Sequence, residues 1–210
     1  METDVINIET GSPHVFRFDN IMDADLCDEL ISYIINHTDK VQNATEEPYG
    51  VSFPYTSYPP ELKTKVEHYI EKVTNLISSL YGKSLKHDCA ETLYWKIGTS
   101  MDFHPDAMPM ENFSEERIQN EIGINSSIFT RVFTCITYLN DVDEGGETVV
   151  DRRLITDPPE NDVSHFVSKP NKGCAVAYRT YCTHKVEEVK SNGRFTMAMF
   201  FVDDPWRRFK

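Results

Sequence analysis

Apolar residues recur at helical spacing in two segments of the first half of the chain. The first segment begins after Asp23, a candidate N-cap, and ends near His37, whereas the second covers about 61–80 and precedes Gly82, which suits the left-handed position after a helix. The repeating positions are Leu26, Leu30, Ile31, Ile34 and Ile35 in the first segment, and Leu62, Val66, Tyr69, Ile70, Val73, Leu76, Ile77 and Leu80 in the second. This pattern predicts two amphipathic helices that cover one face of a sheet.

After residue 86 the chain changes to short segments in which apolar and polar residues alternate, separated by turn residues such as Gly145-Gly146 and Asn192-Gly193. Eight short strands fit a jelly-roll sandwich. We therefore predict a mainly β protein with flanking α: a double-stranded β-helix (jelly roll) core packed against the N-terminal helices. The predicted strands lie at about 91–97, 100–105, 131–139, 146–150, 163–168, 173–179, 182–188 and 194–202, with a further edge strand at 15–18.

The 210 residues predict one domain, with a helical support region over 1–90 and a jelly-roll core over 91–205. Two segments have the composition of loops. The Tyr- and Pro-rich segment 48–60 is interpreted as an ordered surface connection, with a flexible lid that meets substrate as the alternative. Segment 107–130 holds an acidic insert near the expected mouth of the barrel, interpreted as a solvated loop rather than one that selects substrate.

The chain is acidic, with 34 Asp and Glu against 21 Lys and Arg and a net charge of −13. Because binding to phosphates depends on Lys and Arg, this charge disfavours nucleic acid as a partner. The sequence contains no long apolar run and no basic start followed by an apolar core, so we expect neither a membrane span nor a secretion signal. The five cysteines lack CxxC spacing and are interpreted as reduced, mostly buried thiols of a cytoplasmic protein.

His104 and Asp106 are the first candidate metal ligands, because residues two apart on a strand point to the same face. His184, far downstream, can supply a second imidazole. Two histidines and a carboxylate on one face of a metal leave other positions open, which suits a non-heme Fe(II) that activates O2. The same spacing at 37–39 falls at a helix end, where residues two apart do not share a face, so we interpret it as a chance match.

Arg194 follows His184 by ten residues and lies in the last predicted strand. Alternation places Thr196, Ala198 and Phe200 on the same face as Arg194, while the opposite face is apolar core. A buried guanidinium without a partner is costly, and its planar fork of donors suits a carboxylate. The partner is interpreted as a bound small dianion, with a structural salt bridge to Asp or Glu as the alternative.

Taken in order, these residues resemble the 2-oxoglutarate- and Fe(II)-dependent oxygenases, and among them the prolyl 4-hydroxylase branch. The resemblance covers about 91–204 and is carried by His104-Pro105-Asp106, the segment 138–148, His184 and Arg194. It implies a catalytic Fe(II) bound by His104, Asp106 and His184. The spacing to Arg194 favours His184 over the other strand histidine, His165.

The resemblance also implies a co-substrate site for 2-oxoglutarate. Its distal carboxylate would be bound by Arg194 and Tyr138, with Thr196 as a further donor, and Tyr94 matches a pocket tyrosine of hypoxia-type relatives. Collagen-type prolyl hydroxylases often have Lys where this chain has Arg194, whereas hypoxia-type prolyl hydroxylases and lysyl hydroxylases have Arg. This difference leaves the co-substrate site intact and weakens assignment to the collagen-type subgroup.

The reaction implied is hydroxylation of an unactivated C–H bond, with O2 consumed, succinate and CO2 released, and ascorbate as a reductant. The expected substrate is a prolyl residue of a peptide or protein. A free amino acid or another small molecule is the alternative, and a nucleic-acid demethylase is disfavoured by the charge. Two other classes stay open, a non-catalytic binding module on the same barrel and a zinc hydrolase, although neither needs Arg194.

Overall fold

The computed structural model describes residues 7–37, 51–107, 131–157 and 164–203. The helices in these residues are α1 (Ala24–His37) and α2 (Pro60–Tyr81), and a 3-10 turn covers Tyr55–Ser57. The strands are β1 (Ile8–Ser12), β2 (Val15–Phe18), β3 (Val51–Pro54), β4 (Lys86–Trp95), β5 (Met101–His104), β6 (Arg131–Tyr138), β7 (Thr148–Asp151), β8 (His165–Ser168), β9 (Ala175–Arg179), β10 (His184–Val186) and β11 (Arg194–Val202).

The strands form two antiparallel sheets. The major sheet has seven strands in the order β1-β2-β9-β6-β11-β4-β3, and the minor sheet has four in the order β5-β10-β7-β8. Side chains of the two sheets meet between them, where Arg194 of the major sheet donates a hydrogen bond to Thr148 of the minor sheet. Two facing sheets with helices on one outer side confirm the predicted fold class.

Both helices pack on the outer face of the major sheet. On α1, Leu30 and Ile34 are fully buried, but Ile35, which the spacing placed on the same apolar face, is 57% exposed. The same core contains α2 residues such as Ile77 and the outward-facing side chains of β11, Met197, Met199 and Phe201. Gly82 ends α2 with a φ of 70°, so the predicted helices and the left-handed helix end are confirmed.

One prediction of local structure is wrong, and two strands were missed. Segment 15–18 is a strand, but β2 lies between β1 and β9 and is not an edge. Strands β1 and β3 were not predicted, and β3 forms by pairing with 91–94 on the edge of β4 that β11 leaves open. Its last residue is Pro54, which an edge strand tolerates because one side needs no donor.

The loop predicted over 48–60 is therefore replaced by a strand and a 3-10 turn over 51–57. Tyr58 is buried and its hydroxyl hydrogen-bonds with Thr92 Oγ1 at 2.8 Å, so this tyrosine belongs to the core and not to a lid. Residues 48–50 lie outside the described residues. So do residues 108–130, which carry the acidic insert.

The cysteines agree with the prediction of reduced, mostly buried thiols. Four cysteines are buried, Cys89 is half-buried, and none forms a disulfide. In the described part of the chain, neither helix combines the length and apolar character needed to cross a membrane.

Candidate metal centre and adjoining cavity

Two histidines face each other across neighbouring strands of the minor sheet. His184 of β10 is the direct register partner of His104 of β5, and their ring centroids are 4.3 Å apart. Directly opposed residues of an antiparallel pair have neighbouring side chains, so sheet pairing alone brings together two residues eighty positions apart. His165, the competing candidate, lies exposed on β8 and stacks on Phe103.

Asp106 reaches the same point by a different route from the one predicted. Strand β5 ends at His104, so the two residues do not share a strand face; Asp106 lies in the following turn, where its backbone N–H donates to the Thr180 carbonyl at 3.1 Å. Its Oδ2 lies 3.7 Å from His184 Nε2. One ligand atom from each of His104, Asp106 and His184 lies within 4.8 Å of the others, a spacing that could hold one metal ion.

Neighbouring groups hold these ligands in a form suited to a metal. His104 Nδ1 lies 2.7 Å from the Asp102 carbonyl and donates to it, which leaves Nε2 with a free lone pair. Thr134 Oγ1 donates to Asp106 Oδ2 at 2.6 Å. Burial lowers the pKa of His184, which favours the neutral imidazole that metal binding requires. Two imidazoles and a carboxylate so arranged fit a ferrous ion.

Sequence reasoning did not identify Thr134 or Tyr178 as part of the site. The Tyr178 ring lies 4.5 Å from the His184 ring, and its hydroxyl is 3.4 Å from Asp106 Oδ2. Burial raises the pKa of Tyr178 well above its ordinary value, so the phenol stays a donor. Alternation within β6 and β9 could have placed both residues on the inner face, but not beside a particular ligand.

Thr134→Val is expected to weaken divalent-metal binding by about 10- to 100-fold, the range typical when a ligand loses its orienting partner. The substitution keeps the shape of the side chain and removes the donor to Asp106. Competition titration of Mn(II) against a fluorescent chelator would measure the effect. Thr134→Ser keeps the hydroxyl and serves as the control, so an equal loss in both variants would contradict the role of the hydrogen bond.

A cavity of about 150 Å³ adjoins the three ligands between the sheets. As predicted, the inner face of β11 contributes Arg194, Thr196, Ala198 and Phe200 to its wall, while Met197 and Met199 face the helices. The cavity is smaller than the roughly 300–1,000 Å³ typical of pockets for drug-sized ligands. Its interior therefore suits a small molecule.

Arg194 is 1% exposed and lies in the wall of this cavity. One Nη donates to Thr148 Oγ1 at 2.9 Å, and the guanidinium lies 5.1 Å from the Trp95 ring and 5.4 Å from the Tyr138 ring. Within the described residues Arg194 forms no ion pair, and its Nε and Thr196 Oγ1 are buried without hydrogen-bond partners. The structural salt bridge is thus wrong for this part of the chain, and a buried cation beside unsatisfied polar atoms fits an anionic ligand.

The two tyrosines assigned to the co-substrate pocket differ in position. Tyr138 is fully buried, and its hydroxyl donates to Thr148 Oγ1 at 2.9 Å or to the Ser168 carbonyl at 3.1 Å, so it braces the residue that holds Arg194. Tyr94 stacks on Phe195 with ring centroids 4.6 Å apart, on the side of the sheet that faces the helices. The structure therefore does not bring Tyr94 to the cavity, where its neighbours Leu93 and Trp95 lie instead.

The Gly145-Gly146 turn allows the close approach of Arg194. Both glycines have positive φ, 78° and 71°. A Cβ at position 145 would collide with the Glu188 carbonyl oxygen, and one at position 146 would lie 3.2 Å from Arg194 Cδ. The two glycines are thus required by close packing of the turn beside the cavity.

Comparison with known proteins agrees with the geometry. A family model described as the 2OG-Fe(II) oxygenase superfamily matches residues 92–202, more than half of the chain. None of the curated proteins matches the chain in sequence.

Solved structures with the same fold include enzymes with different substrates. A viral collagen prolyl hydroxylase from Paramecium Bursaria Chlorella virus-1, in complex with 2OG, is 16% identical with a TM-score of 0.60, over 91% of this chain and 96% of that one. A Pseudomonas putida prolyl-4-hydroxylase is 15% identical with a TM-score of 0.62, over 91% and 94%. A non-heme α-ketoglutarate-dependent epimerase of nogalamycin biosynthesis is 14% identical with a TM-score of 0.68, over 90% and 78%. At these identities the likeness concerns the fold, which does not name a substrate.

Proposed function

Since the chain belongs to the 2OG-Fe(II) oxygenase superfamily, we propose that it is a dioxygenase that couples conversion of 2-oxoglutarate into succinate and CO2 to hydroxylation of an unactivated C–H bond. One observation carries this proposal: the cluster of His104, Asp106 and His184 shares a cavity with the guanidinium of Arg194, which forms no ion pair with any described residue. The cluster suits Fe(II), and the guanidinium suits one end of a diacid. A zinc hydrolase or a binding module would need only one of these two features.

In this proposal, His104, Asp106 and His184 would hold the iron. When bound, Fe(II) and 2-oxoglutarate supply the activation of O2 and the electrons for the reaction, while the chain supplies orientation and a site closed to water. The Asp102 carbonyl and Thr134 hydroxyl keep two of the ligands in one orientation.

The distal carboxylate of 2-oxoglutarate would lie at the Arg194 end of the cavity. There it would complete the hydrogen bonding of Arg194 Nε and Thr196 Oγ1, which are buried and unsatisfied. Thr148 and Tyr138 act through Arg194, because Thr148 accepts from its guanidinium and Tyr138 donates to Thr148. This arrangement differs from the direct contact between Tyr138 and the carboxylate that the resemblance implies.

The favoured substrate is a prolyl residue of a peptide or protein. Two prolyl hydroxylases with the same fold support this choice. A free amino acid or other small molecule is the second candidate, favoured by the α-ketoglutarate-dependent epimerase with the same fold. Ascorbate as a reductant, a cytoplasmic location and the absence of a nucleic-acid partner stay predictions.

Incubation of anaerobically purified protein with Fe(II), 2-oxoglutarate, O2 and Pro-containing peptides is expected to yield succinate and peptides that gain one oxygen atom. Mass spectrometry of the peptides and enzymatic measurement of succinate would check both products, with omission of O2 as the control. Turnover of free proline but of no peptide would favour the small-molecule substrate. Failure of the protein to bind either Fe(II) or 2-oxoglutarate would contradict the proposal.

A further inference from the structure

Glu91 is the acidic residue of the cavity wall that metal binding leaves unexplained. It lies on β4 and lines the cavity together with Leu93 and Trp95, which follow it at two-residue intervals on the inner face. Those neighbours are apolar, and so is Ala198, the register partner of Glu91 on β11. A carboxylate at this position is therefore surrounded by apolar neighbours along β4 and across on β11.

The strand register places Glu91 toward the metal end of the cavity. Its partner Ala198 is adjacent on the inner face to Phe200, which pairs with Thr134, and Thr134 bonds the ligand Asp106. Arg194 lies four residues away along β11, about 13 Å at the usual rise of a strand. Glu91 is thus in position to meet a substrate near the metal, and too distant to serve as the counter-ion of Arg194.

Glu91 also has no cationic partner in the part of the chain that the structure describes. Its carboxylate accepts a hydrogen bond from the Ser52 hydroxyl of β3, which fixes its direction. Two other half-buried acids, by contrast, are paired with a cation: Asp88 with Arg131 at 3.1 Å, and Asp151 with Arg153 at 3.1 Å. Glu91 is thus a half-buried carboxylate whose direction is fixed and which has no cation beside it among the described residues. Such a carboxylate would bind a cationic group of a ligand favourably.

We infer that Glu91 selects substrates that present a cationic group, an ammonium or a guanidinium, next to the carbon that is hydroxylated. The inference rests on the proposed function and specifies, in addition, that the substrate of the enzyme carries a positive charge. In a peptide the cation is a Lys or Arg side chain near the reacting residue; in a small molecule it is the amine. The net charge of −13 acts in the same direction, because it raises the local concentration of cations.

Two pairs of probes, each differing in one charge, test the inference. The first is a Pro-containing peptide with Lys next to Pro, against the same peptide with acetyl-lysine. The second is L-prolinamide, whose ring nitrogen is cationic, against N-acetyl-L-prolinamide, whose ring nitrogen is neutral. Calorimetry on protein loaded with Mn(II) and 2-oxoglutarate without O2 gives the Kd of each probe, and succinate formation with Fe(II) and O2 gives KM and kcat.

Wild-type protein is expected to favour the cationic member of at least one pair by about tenfold or more, as a charge-assisted contact allows. Glu91→Gln keeps the size of the side chain and an acceptor for Ser52, and should abolish this preference through KM with little change in kcat. Added salt should raise KM for the cationic probe alone. Glu67→Gln, on the exposed face of α2 and paired with Lys63, should retain the preference.

Equal binding of cationic and neutral probes by wild-type protein, absence of binding by both cationic probes, or an unchanged preference in Glu91→Gln would each overturn the inference. Retained binding of Mn(II) and 2-oxoglutarate shows that the Glu91→Gln variant is folded. Loss of Mn(II) and 2-oxoglutarate binding by the wild-type protein would instead overturn the proposed function. The pair that shows the preference identifies whether the cation belongs to a peptide or to a small molecule.

Discussion

His184→Ala is expected to abolish both metal retention and succinate formation. His184 supplies one of three candidate ligand atoms, and its ring is buried in the cavity wall on β10, the strand between β5 and β7. Loss of a partner that only orients a metal ligand costs about 10- to 100-fold in affinity or activity, so loss of the ligand itself should cost more than about 100-fold. Metal content after anaerobic reconstitution with Fe(II), measured by mass spectrometry, and succinate formation would both be recorded.

His165→Ala is the matched control for this prediction. His165 also lies on the minor sheet and also follows the double-glycine turn, but it is exposed and stacks on Phe103 at 5.3 Å. Metal content and activity near the wild-type values are expected in this variant. If the two variants lost metal equally, or if His184→Ala retained stoichiometric iron, the assignment of the third ligand would be wrong.

The sequence was sufficient to predict the elements that carry a strong period. Both helices were predicted within about a residue of their ends, because their buried residues recur at helical spacing, as Cys27, Leu30 and Ile34 do on α1. The inner and outer faces of β11 were also predicted over 194–201, by alternation along the strand from Arg194. The candidate ligands could be proposed from residue type and order.

Pairing between distant strands could not be read from local pattern. Strands β1 and β3 are short, and each exists because a partner strand offers an edge, which the sequence of 8–12 or 51–54 does not reveal. The position of Asp106 likewise depends on a distant residue, because its backbone N–H donates a hydrogen bond to the Thr180 carbonyl. The residues of the site could be predicted from the sequence, but the turns and the strand register that position their side chains could not.

Tyr94 illustrates how alternation can override a match to a family position. Trp95 is the register partner of Arg194, so its side chain lies on the inner face and that of Tyr94 on the outer face. The resemblance alone assigned Tyr94 to the pocket. Because this register joins two strands that are far apart along the chain, alternation within the predicted strand could not by itself have shown which of Tyr94 and Trp95 faces the cavity.

Arg194→Met is expected to raise the KM for 2-oxoglutarate by a factor between about 30 and several thousand. Truncating one partner of a buried, hydrogen-bonded charge pair costs about 2–5 kcal/mol, and each 1.4 kcal/mol corresponds to a factor of ten. Steady-state assays at varied 2-oxoglutarate, together with calorimetry in Mn(II) without O2, would measure the change. The affinity for Mn(II) alone should stay close to that of the wild type, because Arg194 donates to Thr148 and not to a metal ligand.

The same substitution is expected to leave the free energy of unfolding without 2-oxoglutarate unchanged or to raise it. In that state Arg194 is a buried cation with no ion pair among the described residues, and an apolar chain of similar length removes an uncompensated charge. A ligand that binds only the folded protein stabilises it, so 2-oxoglutarate should raise the urea midpoint of the wild type but not of the variant. The substitution is thus expected to weaken the binding of 2-oxoglutarate without lowering the stability of the ligand-free protein. Replacement of a purely structural arginine would lower that stability instead.

Arg179→Met is the control for this pair of measurements. Arg179 also lies over aromatic rings, 4.9 Å from Tyr81 and 5.5 Å from Phe133, but on the face of the major sheet that the helices cover. Its substitution should leave the KM for 2-oxoglutarate and the ligand-induced stabilisation unchanged. A large loss of stability in Arg194→Met with a normal KM would show that Arg194 holds the fold together and does not bind the co-substrate.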